Sequence, residues 1–445
     1  MPQPGQVRVA VVGAGVAGLA AADALAGIDV TLYDAAPRAG GHVYTVEADG
    51  HAIDMGFIVH NRARYPHFTA LLAELAIPTR ATAMSFSVSG IGRAWASTSF
   101  STWFADRRGL ADPRHWRFLA GLVAFLGRAR ADLRAAALDA RAVAARTSLA
   151  EYLEARRVPR AVREQFALPL ASALWSLAPE RCGEFPARSY LAFLDQHGML
   201  SPGKPLEWRT IAGGSRRYVD AWLARLHARG RFALELGTPV AQIRRDDRGV
   251  HVATARGERR YDRVVIATHA DTALALLADA SPAERAALGA FRYSRNRAVL
   301  HTDRAFLPRE PAAHAAWNYC ADADTGRACV TYSMTKLQGL PDAPYLVTLN
   351  PRREPRGVLH ETWFDHPQFD RAALAAQRAI AELAGARRTY FAGAHLGVGF
   401  HEDGMRTGRA AAAMLRGDLR ADLRAQQREH DAREVAFDGV SLRAL

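Results

Sequence analysis

Residues Val7 to His42 read VRVAVVGAGVAGLAAADALAGIDVTLYDAAPRAGGH. Val7 to Val12 is apolar nearly throughout and rich in β-branched side chains, which predicts a buried parallel strand. Gly13, Gly15 and Gly18 follow at the G-x-G-x-x-G spacing, with Ala14, Val16 and Ala17 between them. An Ala-rich helix comes next, with Leu19, Ala22, Leu25 and Ala26 on one face. The three glycines do different things. Gly13 makes the tight turn, Gly15 admits a pyrophosphate close to the backbone, and Gly18 lets helix pack on strand. An anion is favoured at the helix N-terminus, where N–H groups and the macrodipole act together. The second strand, Val30 to Tyr33, ends at Asp34, followed by Ala35. A carboxylate about twenty residues past the first glycines is placed to accept hydrogen bonds from a ribose. A dinucleotide is therefore the expected ligand.

The continuation Pro37-Arg38-Ala39-Gly40-Gly41-His42 separates the possible dinucleotides. It resembles the Gly-Gly extension of the FAD-dependent amine oxidase, phytoene desaturase and protoporphyrinogen oxidase superfamily, closest to bacterial NAD/FAD-binding, amine oxidase-like oxidoreductases. Members often carry arginine after the doublet; here His42 stands in that place, so the phosphate contact of that arginine is not carried over. Further pieces fit in the family's order. Ile53-Asp54-Met55-Gly56-Phe57 resembles a D-x-G motif whose backbone passes close to the flavin ring, with Gly56 permitting the approach; a β-bulge glycine is the plainer alternative. Trp208 to Ser215, with Gly213-Gly214, resembles an element that opens a helix, and the family residue matching Val240 pairs its backbone with adenine. Val264-Val265-Ile266-Ala267-Thr268 resembles the strand that adds to the nucleotide-binding sheet, ending at Ala267.

The closing motif runs from Arg388 to Ala411 and resembles the superfamily's C-terminal flavin element, a strand ending in Ala392-Gly393 before a glycine-rich turn into a helix. A helix N-terminus at Asp403, Gly404 and Met405 would stabilise negative charge on a reduced flavin with backbone N–H groups. Asp403 also fits a plain N-cap. No cysteine lies in this motif, so the resemblance implies non-covalent FAD. Four residues are candidates for catalysis. His395, His401 and Glu402 flank the expected flavin site and are candidates for handling protons. Lys336 is the one lysine in the half of the chain where amine oxidases hold a lysine against the flavin through water; a surface lysine is its plainer reading.

Composition narrows the classes. The chain has 445 residues, 49% hydrophobic and 23% charged, as in a soluble globular protein of several domains. Its net charge is +13, and only Lys204 and Lys336 among 58 basic residues are lysine. The arginines are scattered, which argues against a nucleic-acid stripe and leaves attraction to an anionic membrane or acidic ligand open. Three cysteines without a C-x-x-C indicate free thiols and no metal site. The chain enters its first strand after a few polar residues, and its longest apolar run, Phe118 to Gly127, is too short to cross a bilayer. A cytoplasmic protein, with membrane association as an addition, is expected.

The fold class expected is α/β: a Rossmann-type FAD-binding domain (residues 1–80, 205–290 and 385–416), interleaved with an α+β substrate domain (81–204 and 291–384) and followed by a charged tail (417–445). The substrate domain should contain a helical subdomain and an antiparallel sheet built from Ala298 to Thr302, Ala316 to Tyr319, Cys329 to Met334 and Tyr345 to Leu349. Trp317, Tyr319, Tyr332 and Trp363 could wall a pocket or form the sheet's packed face. Between Trp95 and Arg130, aromatic and arginine residues dominate, with Trp116, Leu119, Val123 and Leu126 on one helical face. Packing inside the domain is the favoured reading, and a monotopic membrane contact the sharper one. The implied reaction is hydride removal from a substrate C–H. The first expectation is a desaturase or dehydrogenase of an apolar, lipid-like substrate; a flavin oxidase of small amines and a flavin-binding protein without turnover are the alternatives.

Overall fold

The computed structural model describes residues 7–175, 179–200, 206–321, 328–341 and 343–441, with side chains described except at 174–181, 423 and 426–441. The chain divides into two compact units, Met1–Gly41, Leu223–Gly289 and Gln377–Leu445 in one, His42–Trp222 and Ala290–Ala376 in the other.

The first unit is built on a five-stranded, all-parallel sheet. Its order is Phe232–Glu235, Asp29–Tyr33, Arg8–Val12, Arg263–Ile266, Thr389–Phe391. In chain order that is third, second, first, fourth, fifth. The direction of strand addition therefore reverses at the opening strand, and a doubly wound sheet binds its ligand at such a switch point, beyond the strands' carboxyl ends. Val9, Val11, Leu32, Val264 and Ile266 are buried, as central parallel strands covered on both faces require. The opening helix, Val16–Ala24, buries Ala17 to Ala22, and the closing helix, His401–Ser441, packs along it. A separate antiparallel ribbon comprises Val240–Asp246, Gly249–Thr254 and Gly257–Tyr261. Its third strand, Gly-Glu-Arg-Arg-Tyr, is exposed except at Tyr261, so no apolar alternation announces it.

The second unit holds a seven-stranded sheet in the order Val358–Gln368, Arg292–His301, Leu346–Leu349, Ala328–Ser333, Trp317–Ala321, Phe86–Ser89, Trp95–Ala96. Neighbours are antiparallel except Trp317–Ala321 beside Phe86–Ser89, which run parallel. The four strands expected from alternation are all present. Val358–Gln368, at one edge, is a strand that alternation does not announce, because its residues stay partly or fully exposed until the pattern turns inward at Phe364. The helical part begins with Pro113–Leu138. That helix buries His115, Phe118, Leu119, Leu122 and Phe125 and leaves Trp116 and Val123 exposed, so the expected shared face of Trp116, Leu119, Val123 and Leu126 is divided between protein and solvent. Trp95, by contrast, is core, against Phe86, Phe118 and Phe166. The Pro-punctuated stretch around Trp175 lies partly outside the described residues.

Candidate active site

In the first unit the opening turn is held by its neighbours in the sheet. The Ala267 N–H donates to Val12 O (2.7 Å), and the Gly13 N–H donates to Tyr33 O (2.8 Å). Gly13 has φ +103°, and a Cβ there would stand 2.7 Å from Ala267 O; a Cβ on Gly18 would fall 1.8 Å from Gly13 O. Both glycines are thus required by the protein's own backbone. Gly15 is different. A Cβ there would meet only Gly41 Cα, at 3.9 Å, so the space above it is open. The helix starting at Val16 has no side-chain cap and no acid in its first turn, leaving Val16 and Ala17 at a bare N-terminus. An anion fits both features.

The glycine doublet closes over this turn. The Gly40 N–H donates to Ala14 O (2.8 Å), and Gly41, at φ +58°, lies against Gly15. Asp34 ties the pieces together: its Oδ2 accepts from the Ala14 N–H (2.6 Å) and its Oδ1 from the Ala36 N–H (2.8 Å), with Ala35 between. The Gly237 N–H donates to Ala36 O and, two residues before the ribbon starts at Val240, the Thr238 N–H donates to the backbone carbonyl of Asp34.

The closing motif reaches the opening one within this unit. A Cβ on Gly404 would lie 2.5 Å from Val16 Cγ1, and one on Gly408 would lie 2.1 Å from Ala17 O. Thr407 Oγ1 accepts from the Gly393 N–H (3.0 Å) and lies 3.1 Å from Gly393 O, locking the strand end to the helix. Gln377 Nε2 donates to His395 O and Gly397 O (2.8 and 2.6 Å). No sequence signal marks Gln377 or Thr407 for this work. The helix begins at His401, two residues before the expected start. As a result the Asp403 and Gly404 N–H groups already donate to Phe400 O, and Met405 is buried. The Asp403 carboxylate accepts from the Val398 and Phe400 N–H groups and pairs with Arg406, so it braces the turn. His401 and Glu402 stand at the helix head. His395 is buried, and burial, with His269 nearby, lowers its pKa to about 3. It is therefore neutral at pH 7.

The remaining expected positions fall in the second unit. His42 stacks on Phe364 (5.2 Å between centroids) with His366 at 5.6 Å. Its carbonyl accepts from the Phe57 N–H (3.0 Å) and would stand 1.9 Å from a Cβ on Gly56. Gly56 is therefore demanded by the chain's own packing. Met55 is buried beside Ile53 and Phe364 in one apolar cluster. Asp54 is fully buried and accepts from Thr45 Oγ1, Gln338 Nε2, and the Ser215 N–H and Oγ. Burial pushes its pKa up to about 6 against those hydrogen bonds. The acid of the D-x-G segment thus anchors the Gly213-Gly214-Ser215 turn. Lys336 is exposed, on the short helix Met334–Gln338. Trp317 and Tyr332 meet edge to face at 5.3 Å, and Tyr319 is buried. Trp363 is 48% exposed, with the Arg295 guanidinium over its ring.

Residues 16–415 match the family described as flavin containing amine oxidoreductase. The chain belongs to that family. This flavoprotein is an FAD-dependent, amine oxidase-like oxidoreductase. Among solved structures, it is similar to a CLA-producing fatty acid isomerase from P. acnes (TM-score 0.67, 17% identity, 92% of this chain and 98% of that one). Cyclohexylamine oxidase from Brevibacterium oxydans IH-35A gives TM-score 0.68 and 18% identity over 93% and 100% of the two chains. Putrescine oxidase, bound to putrescine, gives 0.66 and 16% over 93% and 99%. These likenesses are of fold. No curated protein matches the chain by sequence.

Proposed function

We propose that this flavoenzyme removes hydride from a C–H bond of an apolar, lipid-like substrate, as a desaturase or dehydrogenase. The observation that carries the reading is the state of the buried carboxylates in the second unit. Among the described residues these are Asp54, Asp106 and Asp132. Asp54 is held by Thr45, Ser215 and Gln338, Asp106 by Arg93 and Arg108, and Asp132 by Tyr152 and Arg156. None is left to receive an ammonium group, and the net charge of +13 disfavours cations at longer range. The fatty acid named for the P. acnes relative supports an apolar substrate on this fold.

Bound FAD would supply the hydride acceptor. The protein's part is positional: Gly15 and the N-terminus at Val16 would hold the diphosphate, Asp34 would accept from ribose, and Gly40 and Gly41 cover the turn. His401 and Glu402 are protonable side chains at the head of the closing helix, beside Asp403, which braces the turn. A second reading, oxidation of a neutral amine, draws on the edge-to-face pair Trp317 and Tyr332, which could flank one. Anaerobic incubation with acyl lipids and, separately, with small amines distinguishes the two. Bleaching of the flavin with products two hydrogens poorer is expected from lipid. Bleaching by amines alone, with peroxide and ammonia once air is admitted, would overturn the lipid reading.

A further inference from the structure

In the second unit the segment from Phe100 to Leu138 has an outward face that its own core does not explain. Nine large hydrophobic side chains are exposed among the described residues, and five of them, Phe100, Leu110, Trp116, Val123 and Leu138, fall in this segment. The first three are gathered at one place. Phe100 packs on Trp116 (6.3 Å) and on Trp103 (6.0 Å), and Trp116 Nε1 donates to Leu110 O (3.0 Å). From Trp116 the exposed face of helix Pro113–Leu138 continues through Ala120, Val123 and Gly127. Those positions fall at i, i+4, i+7 and i+11, a stripe opposite the buried Phe118, Leu122 and Phe125.

The charge beside this stripe has one sign. Asp106 and Asp112 are already paired with Arg93 and Arg108. Arg107 and Arg117 are exposed, and no described carboxylate pairs with them; Arg107 donates to Ser101 Oγ and Arg117 to Pro113 O. A helix with aromatic and aliphatic residues outward and arginines at its flank suits the boundary between lipid headgroups and acyl chains. We infer that this face docks the enzyme on an anionic lipid bilayer, with Phe100, Leu110, Trp116 and Val123 entering the interface and Arg107 and Arg117 meeting headgroup phosphates. A second copy of the chain is the poorer occupant, because a two-fold contact would set arginine against arginine. No described helix is long and apolar enough to cross a membrane, so the attachment is to one leaflet. It stands independently of which substrate the flavin site takes.

Co-sedimentation of the full-length holoenzyme with phosphatidylcholine vesicles, with and without phosphatidylglycerol, tests it. Binding is expected only to the vesicles that contain phosphatidylglycerol, and it should weaken as salt is raised. The double variant R107E/R117E should bind on the order of 100-fold more weakly. Val123→Glu should weaken binding about tenfold. Both variants should keep the flavin absorbance of the parent, which reports folding. The inference is overturned if the parent stays in the supernatant with anionic vesicles at low salt, or if the charge-reversed variant binds as the parent does. Dissociation of a dimer by Val123→Glu would assign the face to a second copy and would overturn it equally.

Discussion

Glycine 18 shows how a single missing Cβ is enforced. The nearest atom to a methyl placed there is Gly13 O at 1.8 Å, a backbone atom that cannot swing aside as a side chain could. Gly18→Ala should therefore displace the turn that Gly15 and Val16 present, raising the dissociation constant for FAD at least tenfold; titrating apoprotein with FAD by fluorescence quenching measures it. Asp54 is enforced by hydrogen bonds. Replacing it with alanine strands Thr45 Oγ1, Ser215 N–H and Gln338 Nε2 in a buried space, at a cost of about 3 kcal/mol in urea unfolding. Asp54→Asn keeps the volume but turns an NH₂ toward those donors, and should cost about 2 kcal/mol. The resemblance gives the glycine of D-x-G a role beside the flavin; the protein's own packing supplies a further reason for it, because a Cβ on Gly56 would meet the carbonyl of His42.

At the scale of elements, the closing helix offers a paired comparison. Gly408 lies where a Cβ would meet Ala17 O at 2.1 Å, while Gly417 has nothing within 4 Å. Gly408→Val should part the closing helix from the opening one, lowering thermal stability by about 2 kcal/mol and releasing FAD on gel filtration. Gly417→Ala, a helix-interior change with no steric conflict, should instead stabilise by about 0.5–1 kcal/mol in the same measurement. Helix boundaries follow similarly local rules. The Ala/Arg-rich run from Arg130 to Arg160 reads as continuous helix by composition, yet the helix stops at Leu138. A single turn of helix, Val143–Arg146, follows, and the next helix opens at Leu149 behind the Ser148–Glu151 capping box. That S-x-x-E signal is present in the sequence, and composition masks it.

Across the molecule, acid sensitivity follows from four histidines, His60, His301 and His395 buried and His197 partly so. Burial lowers the pKa of His60, His197 and His301 to about 4 and of His395 to about 3, all from an ordinary 6.5. The unfolded chain takes up these protons first, so the stability they contribute is complete above pH 6.5 and is lost as pH falls through 4 and then 3. Each lowers the unfolding free energy by about 1.4 kcal/mol per pH unit in that window. Asp54 acts in the opposite sense: its raised pKa adds stability as pH falls from about 6 toward 3.8, one group against four. Urea midpoints should therefore drop steeply between pH 6.5 and 5, and His60→Phe together with His301→Phe should make the slope shallower. An unchanged slope in that double variant would contradict the assignment.

The opening strand, its glycines, Asp34 and the doublet were readable in one dimension, because each acts on residues near it in the chain and uses backbone properties that a residue type encodes. The antiparallel strands of the second unit were readable for the same reason, through period-two alternation. Other features needed the third dimension. Only the packing of residues far apart in sequence decides that Asp54 anchors Ser215, that Thr407 and Gln377 hold the closing turn, and that burial lowers the pKa of His395. Burial also divided the aromatic helix, placing Phe118 inside and Trp116 outside although both are equally apolar letters. Side-chain identity sets what a residue can do, but dielectric surroundings and partners set what it does, and those come from the tertiary fold.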